Sequence, residues 1–179
     1  MNTDFKHLLP EDFDDSSRVW IYQSNRLFTL HEALQLEELL KNFVSSWNSH
    51  GTPVKGFANL FFGQFIILVA DETGHGVSGC STDSSVRMMQ EVGQMFNVNL
   101  FDRLLLGFMV KERIQMVPMP QLAYALENGF LDASTLYFNN TVQTLGELKS
   151  KWLIPAKESW LAKDARFSKL LTRETEVEK

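Results

Sequence analysis

The chain has 179 residues, enough for one domain with a small appendage, and 44% of them are hydrophobic, enough for a sizeable core. Seventeen Lys and Arg against 22 Asp and Glu leave a formal charge of -5, with a pI near 5.4. That balance argues against general nucleic-acid binding, which needs clustered cations to neutralise phosphates, and against docking on an anionic membrane surface.

Cys80 is the one cysteine, so no internal disulfide can form and no cysteine-rich zinc site can be built. The first ten residues lack a basic start followed by an apolar run, and so do not read as a signal peptide. The longest purely apolar run, residues 65–70, is far short of the roughly 18 residues a membrane helix needs. A cytoplasmic, reducing setting without membrane insertion is expected.

Residues 1–17 read as an acidic, loop-like N-terminal segment carrying Asp12, Asp14 and Asp15. Val19-Trp20-Ile21-Tyr22 is β-branched and aromatic, hence a strand. Thr29 stands three residues before Glu32, a capping-box spacing, with Phe28 placed as a staple. Leu36, Leu39, Leu40, Phe43 and Trp47 follow at helical spacing, which predicts a helix over 29–49 ended by Gly51 and Pro53. Residues 56–61 and 64–70 form a predicted hairpin about Phe62-Gly63. The second run has no polar alternation, so it is expected to be a central strand covered on both faces.

Residues 71–81 hold Gly74, Gly76 and Gly79 and read as a loop. Thr82 or Asp83 then caps a helix with Val86, Met89, Val92 and Phe96 inward. A second hairpin, 104–110 with 113–117, flanks Lys111-Glu112; its turn lacks Asn-Gly, so its register stays open. Pro120 opens a short helix to Glu127, stopped by Asn128-Gly129. Residues 135–138 are taken as the last strand, 144–152 as a short helix, and Pro155 as the start of a final helix bearing Trp160. From residue 165 the charges alternate to Glu-Val-Glu-Lys, a charged C-terminal tail. The order predicts a single α+β domain over 18–164. Its sheet is mostly antiparallel or mixed, with helices packed mainly on one face.

Functional signal concentrates between residues 65 and 83, a strand, a glycine-rich loop and a helix start. Such a junction aims backbone N–H groups and the positive helix end at one spot, which suits an anion. The first reading is therefore a non-enzymatic binding module for a small anionic ligand or a protein partner. Gly76, Gly79, Ser81 and Thr82 form its anion or phosphate site, and Arg26 meets the anion from the end of the first strand. Gly74 to Ser81 has phosphate-loop spacing, but Cys80 stands where that loop needs a lysine to reach the terminal phosphates. The alternative is a thiol-dependent enzyme. Cys80, placed before a helix start that favours its thiolate, is the nucleophile; His75 is the base and Asp83 orients it. None of the four His pair at i, i+4, and neither a metal nor a cofactor is expected.

Leu68-Val69-Ala70-Asp71-Glu72 and Val77-Ser78-Gly79-Cys80-Ser81 look like the acidic strand and signature loop of transporter ATPases. Here the acidic strand precedes both glycine motifs, whereas in those ATPases it follows them. Three longer segments carry a broader resemblance over residues 18–163: Arg18-Val-Trp-Ile-Tyr-Gln-Ser-Asn-Arg26, Gly79-Cys-Ser-Thr-Asp83 and Pro155-Ala-Lys-Glu-Ser-Trp160. They are similar to a family of small Bacteroidetes proteins without established activity, some of which bear an automatic "ABC transporter ATPase" label. The resemblance implies bacterial kinship and, through that label, a third reading as a nucleotide hydrolase.

Overall fold

A computed structural model describes residues 3–49, 51–73 and 79–172, with the backbone alone for 79–81. In chain order the strands and helices are β1 (Arg18–Gln23), α1 (Leu30–Ser46), β2 (Asn48–Ser49), β3 (Thr52–Pro53), β4 (Lys55–Phe61), β5 (Phe65–Asp71) and α2 (Gly79–Met95). There follow β6 (Leu105–Val110), β7 (Arg113–Pro118), α3 (Leu122–Glu127), β8 (Leu136–Phe138), α4 (Leu145–Lys151), β9 (Leu153–Pro155) and α5 (Ser168–Leu171). Every strand pairing is antiparallel and several helices accompany the sheets, so the fold class is α+β. Contacts group the chain into two compact units, residues 2–102 with 142–149, and 103–141 with those from 150 onward.

The first unit is built on the sheet β1-β5-β4. β5 is its middle strand, and residues 65–70 are all buried, as a strand without polar alternation requires. Trp20, Tyr22, Ala58, Leu60, Ile66 and Leu68 share one face. That face meets Leu36 and Leu40 of α1 and Met89 and Val92 of α2, so both helices cover the same side. The β4–β5 turn places Phe62 at φ 54° and Gly63 at φ 66°, closed by the Gln64 N–H to the Phe61 carbonyl at 3.0 Å.

α1 starts where the sequence places it. The Thr29 side chain accepts from the Glu32 N–H, and the Glu32 carboxylate accepts from the Thr29 N–H at 2.7 Å. Phe28 finds its partner on α2's end, meeting Phe96 edge-on at 5.7 Å. The helix stops at Ser46, three residues earlier than the pattern suggests, because Asn48–Ser49 and Thr52–Pro53 pair as a small ribbon. Gly51, at φ 80°, belongs to that ribbon's turn rather than to a helix cap. Trp47 folds back over β4, where a Cβ on Gly56 would lie 2.7 Å from its ring. The N-terminal segment adds to this unit as well: Phe5 and Leu9 are buried, and Phe5 packs edge-on against Phe61 at 6.3 Å.

In the second unit the sheet order is β7-β6-β8-β9. Val110 faces Arg113, which fixes the hairpin register with a two-residue turn at Lys111-Glu112. Both turn residues take positive φ, 47° and 62°, the backbone a right-twisted hairpin demands even without glycine or asparagine. Leu106, Phe108 and Tyr137 pack on Leu122 and Ala125 of α3, again on one face. Residues 135–138 are not the last strand. Leu153–Pro155 pairs with Leu136–Phe138 and takes the place of a helix start. The residue before a proline is driven extended, which puts Ile154 in strand geometry and delays helical turns until Ala156. Phe167 and Leu171, inside the segment expected to be a charged tail, are 3% and 2% exposed and belong to this core.

Candidate functional site

α2 begins at Gly79, so Thr82 and Asp83 lie inside its opening turns and neither is its cap. Ser85 anchors this end: its hydroxyl donates to the Thr82 carbonyl at 2.7 Å. Burial pushes the Tyr22 phenol up from its ordinary value. His75 and Gly76 lie outside the described residues, as do the side chains of Cys80 and Ser81; of Gly79 the backbone alone is described. Asp83 is exposed and Thr82 half-buried.

Asp71, in the acidic pair at the end of β5, is already committed. It accepts from the Thr73 N–H at 3.0 Å and the Thr73 hydroxyl at 2.6 Å, and from Lys55 at 3.1 Å. The two Thr73 bonds, helped by Lys55, hold its carboxyl down to about 2. Lys55 also donates to the Asp12 carbonyl and lies over the Phe13 ring at 4.6 Å. Arg26 is likewise committed within the fold. It bonds both Glu32 oxygens at 2.9 Å, the Leu27 carbonyl at 3.0 Å and the Phe96 carbonyl at 2.6 Å. Its hydrogen bonds bring the Glu32 carboxyl down to about 2. Thus Arg26 joins the start of α1 to the residue just past the end of α2. Among the described residues no three His, Cys, Asp or Glu could together hold a metal ion. No helix of these residues is long and apolar enough to cross a membrane.

Among the described residues, a hollow with the makings of a ligand site lies in the second unit. A cleft of about 370 Å³ opens between β7 and α3, within the usual range for ligand pockets. Val117 and Ala125 are among its apolar lining, and Gln115 and Gln121 supply amides. Tyr124 and Phe130 complete it; their rings stack at 6.3 Å and are 64% and 65% exposed. Large aromatic faces left open to water beside a hollow are what a bound partner would cover. Their placement follows from the turn between them. Gly129 at φ 70° reverses the chain after α3, and the Phe130 N–H returns to the Ala125 carbonyl at 2.9 Å. That Asn128-Gly129 stop is legible in the sequence, but the aromatics on either side of it carry no motif. The one sequence clue is Gln115, a polar residue inside an otherwise apolar run.

Fold and cleft together define an α+β protein of two larger antiparallel sheets and a small ribbon, with an uncharged apolar pocket beside one outer strand. Compared with protein-family models, with curated proteins and with solved structures, the chain finds no match in any of the three.

Proposed function

We propose that the chain is a non-enzymatic binding module whose ligand places an uncharged, apolar portion in the cleft of the second unit. One observation carries this reading: the cleft's lining holds no carboxylate, imidazole, thiol, ammonium or guanidinium. General acid–base or nucleophilic chemistry draws most often on such groups within hydrogen-bond reach of the reacting atoms, and the one hydroxyl in the lining is the exposed Tyr124 phenol. Burying a charge needs a partner charge, so the buried part of the ligand is neutral. Gln115 and Gln121 can each donate and accept, which orients a ligand bearing an amide or hydroxyl.

Fluorescence titration with the neutral solvatochromic dye Nile red tests the reading. A saturable blue shift is expected, and the double variant Tyr124→Ala/Phe130→Ala should weaken it about tenfold by removing the stacked aromatic wall. A control variant at the exposed α1 leucines, Leu30→Ser/Leu34→Ser, should leave the titration unchanged. Dye binding that follows the leucines and ignores the aromatics overturns the reading.

The start of α2 at Gly79 favours a second reading, a small anion such as a phosphate held by the helix's first amides with the Ser81 and Thr82 hydroxyls. Titration calorimetry with nucleotides and phosphorylated metabolites tests it. Uniform silence removes it, together with the nucleotide hydrolase.

A further inference from the structure

Among the described residues β7 is an outer strand, paired on one side by β6. Its two-residue turn makes Val110 and Arg113 the closing hydrogen-bonded pair, so bonded pairs recur at Phe108–Gln115 and Leu106–Val117. The 2.7 Å bond from the Met119 N–H to the Leu104 carbonyl falls on the same alternation. Ile114 and Met116 therefore turn their N–H and C=O groups away from β6, and Pro118 ends the edge without a donor.

The cleft reaches this edge. Gln115, Met116 and Val117 all line it, yet successive side chains of a strand point to opposite faces. Three consecutive residues meet one hollow only where it borders the strand's rim. The opposite wall comes from α3 and the turn after it, through Gln121, Tyr124 and Phe130. Such a groove, with main-chain donors and acceptors along one wall and apolar surface beneath, fits an extended chain. Charge indicates what that chain carries. The lining is neutral, but Arg113 shares a sheet face with Gln115 and Val117, two residues from the cleft, and is exposed. No carboxylate of the described residues pairs with it. Lys111 adds a second exposed cation at the turn.

We propose that this groove binds an extended peptide segment of another protein, added as a strand along β7, with an apolar side chain in the cleft and an acidic one two residues away facing Arg113. The proposal deepens the binding reading above and rests on it. The occupant's apolar residue fills the neutral hollow, its backbone bonds Ile114 and Met116, and its carboxylate meets the guanidinium.

Selection of a phage-displayed library of random peptides of about eight residues, a strand's length, on the full chain tests this. Enriched sequences should carry an apolar residue and Asp or Glu two positions apart. Their binding should slow hydrogen exchange at the Ile114 and Met116 amides by about tenfold or more. Arg113→Glu should turn the preference from acidic to basic. Met116→Pro removes one outward donor while leaving the ladder to β6, and should weaken the peptide at least about tenfold. If that variant fails to fold, N-methylation of alternate peptide amides replaces it, with loss of binding expected in one phase and none in the other. The proposal is overturned by three results: no enrichment, peptides that leave both edge amides fast, or sedimentation showing that a second copy already covers β7. Nile red binding without peptide binding would sink the peptide occupant alone; failure of both would sink the cleft reading too.

Discussion

Lys111 and Glu112 hold left-handed backbone at φ 47° and 62°, where an L side chain crowds the following carbonyl at a cost of roughly 1–2 kcal/mol. Both are exposed, so replacing them disturbs no packing. Lys111→Asn/Glu112→Gly should stabilise the protein by about 1 kcal/mol or more in urea denaturation, because the new residues accept the turn the strands impose. The hairpin forms here without the usual turn pair, which is why its register could not be read from the turn; cross-strand pairs such as Phe108 with Gln115 set it. Asp71 shows the same lesson for chemistry. Its place in a segment like the acidic strand of transporter ATPases suggests nucleotide chemistry, but Thr73 and Lys55 take up its oxygens. Its carboxyl sits at about 2 against an ordinary 3.8. The folded state therefore gains from the ionised form above the ordinary value and loses that gain as the pH falls from about 4 through about 2. Thr73→Val removes the hydroxyl bond, the largest cause of the depression. Carboxyl titration by NMR should then show the Asp71 value rise towards 3.8, and the fall of stability between about pH 4 and about pH 2 should become shallower as this group's share is lost.

The start of α1 was fully legible because its parts lie within four residues of one another: Thr29 and Glu32 make the capping box the spacing announces. What could not be read is that Arg26 grips the same Glu32 and reaches the Phe96 carbonyl beyond α2, a contact 70 positions away. Thr29→Ala should cost about 1 kcal/mol, the usual loss for a cap. Arg26→Leu should cost more, since it frees Glu32 and strands a carbonyl at a helix end, and Arg26→Lys should not restore it because an ammonium lacks the planar fork. Urea midpoints of the three variants check the order; an Arg26→Leu protein as stable as the parent would return that residue to the anion reading. α2 was harder to read. It begins at Gly79, three residues before Thr82, so the two residues that read as its cap lie inside it. The last elements escaped for another reason. Charged residues between 165 and 172 mask Phe167 and Leu171, whose burial depends on α3 and β8 far back in the chain. Leu171→Ala should cost about 2–5 kcal/mol, as for a buried leucine elsewhere, although the residue sits in what reads as a solvated tail.

Across the whole molecule, chain order and spatial order part company. No Pro, Gly or Ser-rich stretch marks residues 102–103, yet contacts change partners there, and the first unit is completed only by residues 142–149. That return is held by main-chain bonds of 2.9 Å, from Val19 N–H to the Gln143 carbonyl and from Leu145 and Gly146 N–H to the Ser17 and Asp15 carbonyls. Lys149 and Asp15 add an ion pair at 2.6 Å. Such contacts are invisible to local pattern, because β1 and residues 142–149 each look complete alone. The cleft is hidden similarly, its walls coming from a hairpin, a short helix and a turn that are each unremarkable. A chain ending at Asp102 keeps every strand of the sheet β1-β5-β4 but leaves the outer side of β1 without these partners. It should lose cooperative unfolding, seen as a broad urea transition and poorly dispersed amide spectra. The same chain continued through a flexible glycine–serine linker into residues 142–149 should regain a sharp transition, because the linker restores the missing segment at high effective concentration. Equal cooperativity in both chains would show that the returning segment decorates the first unit rather than completing it.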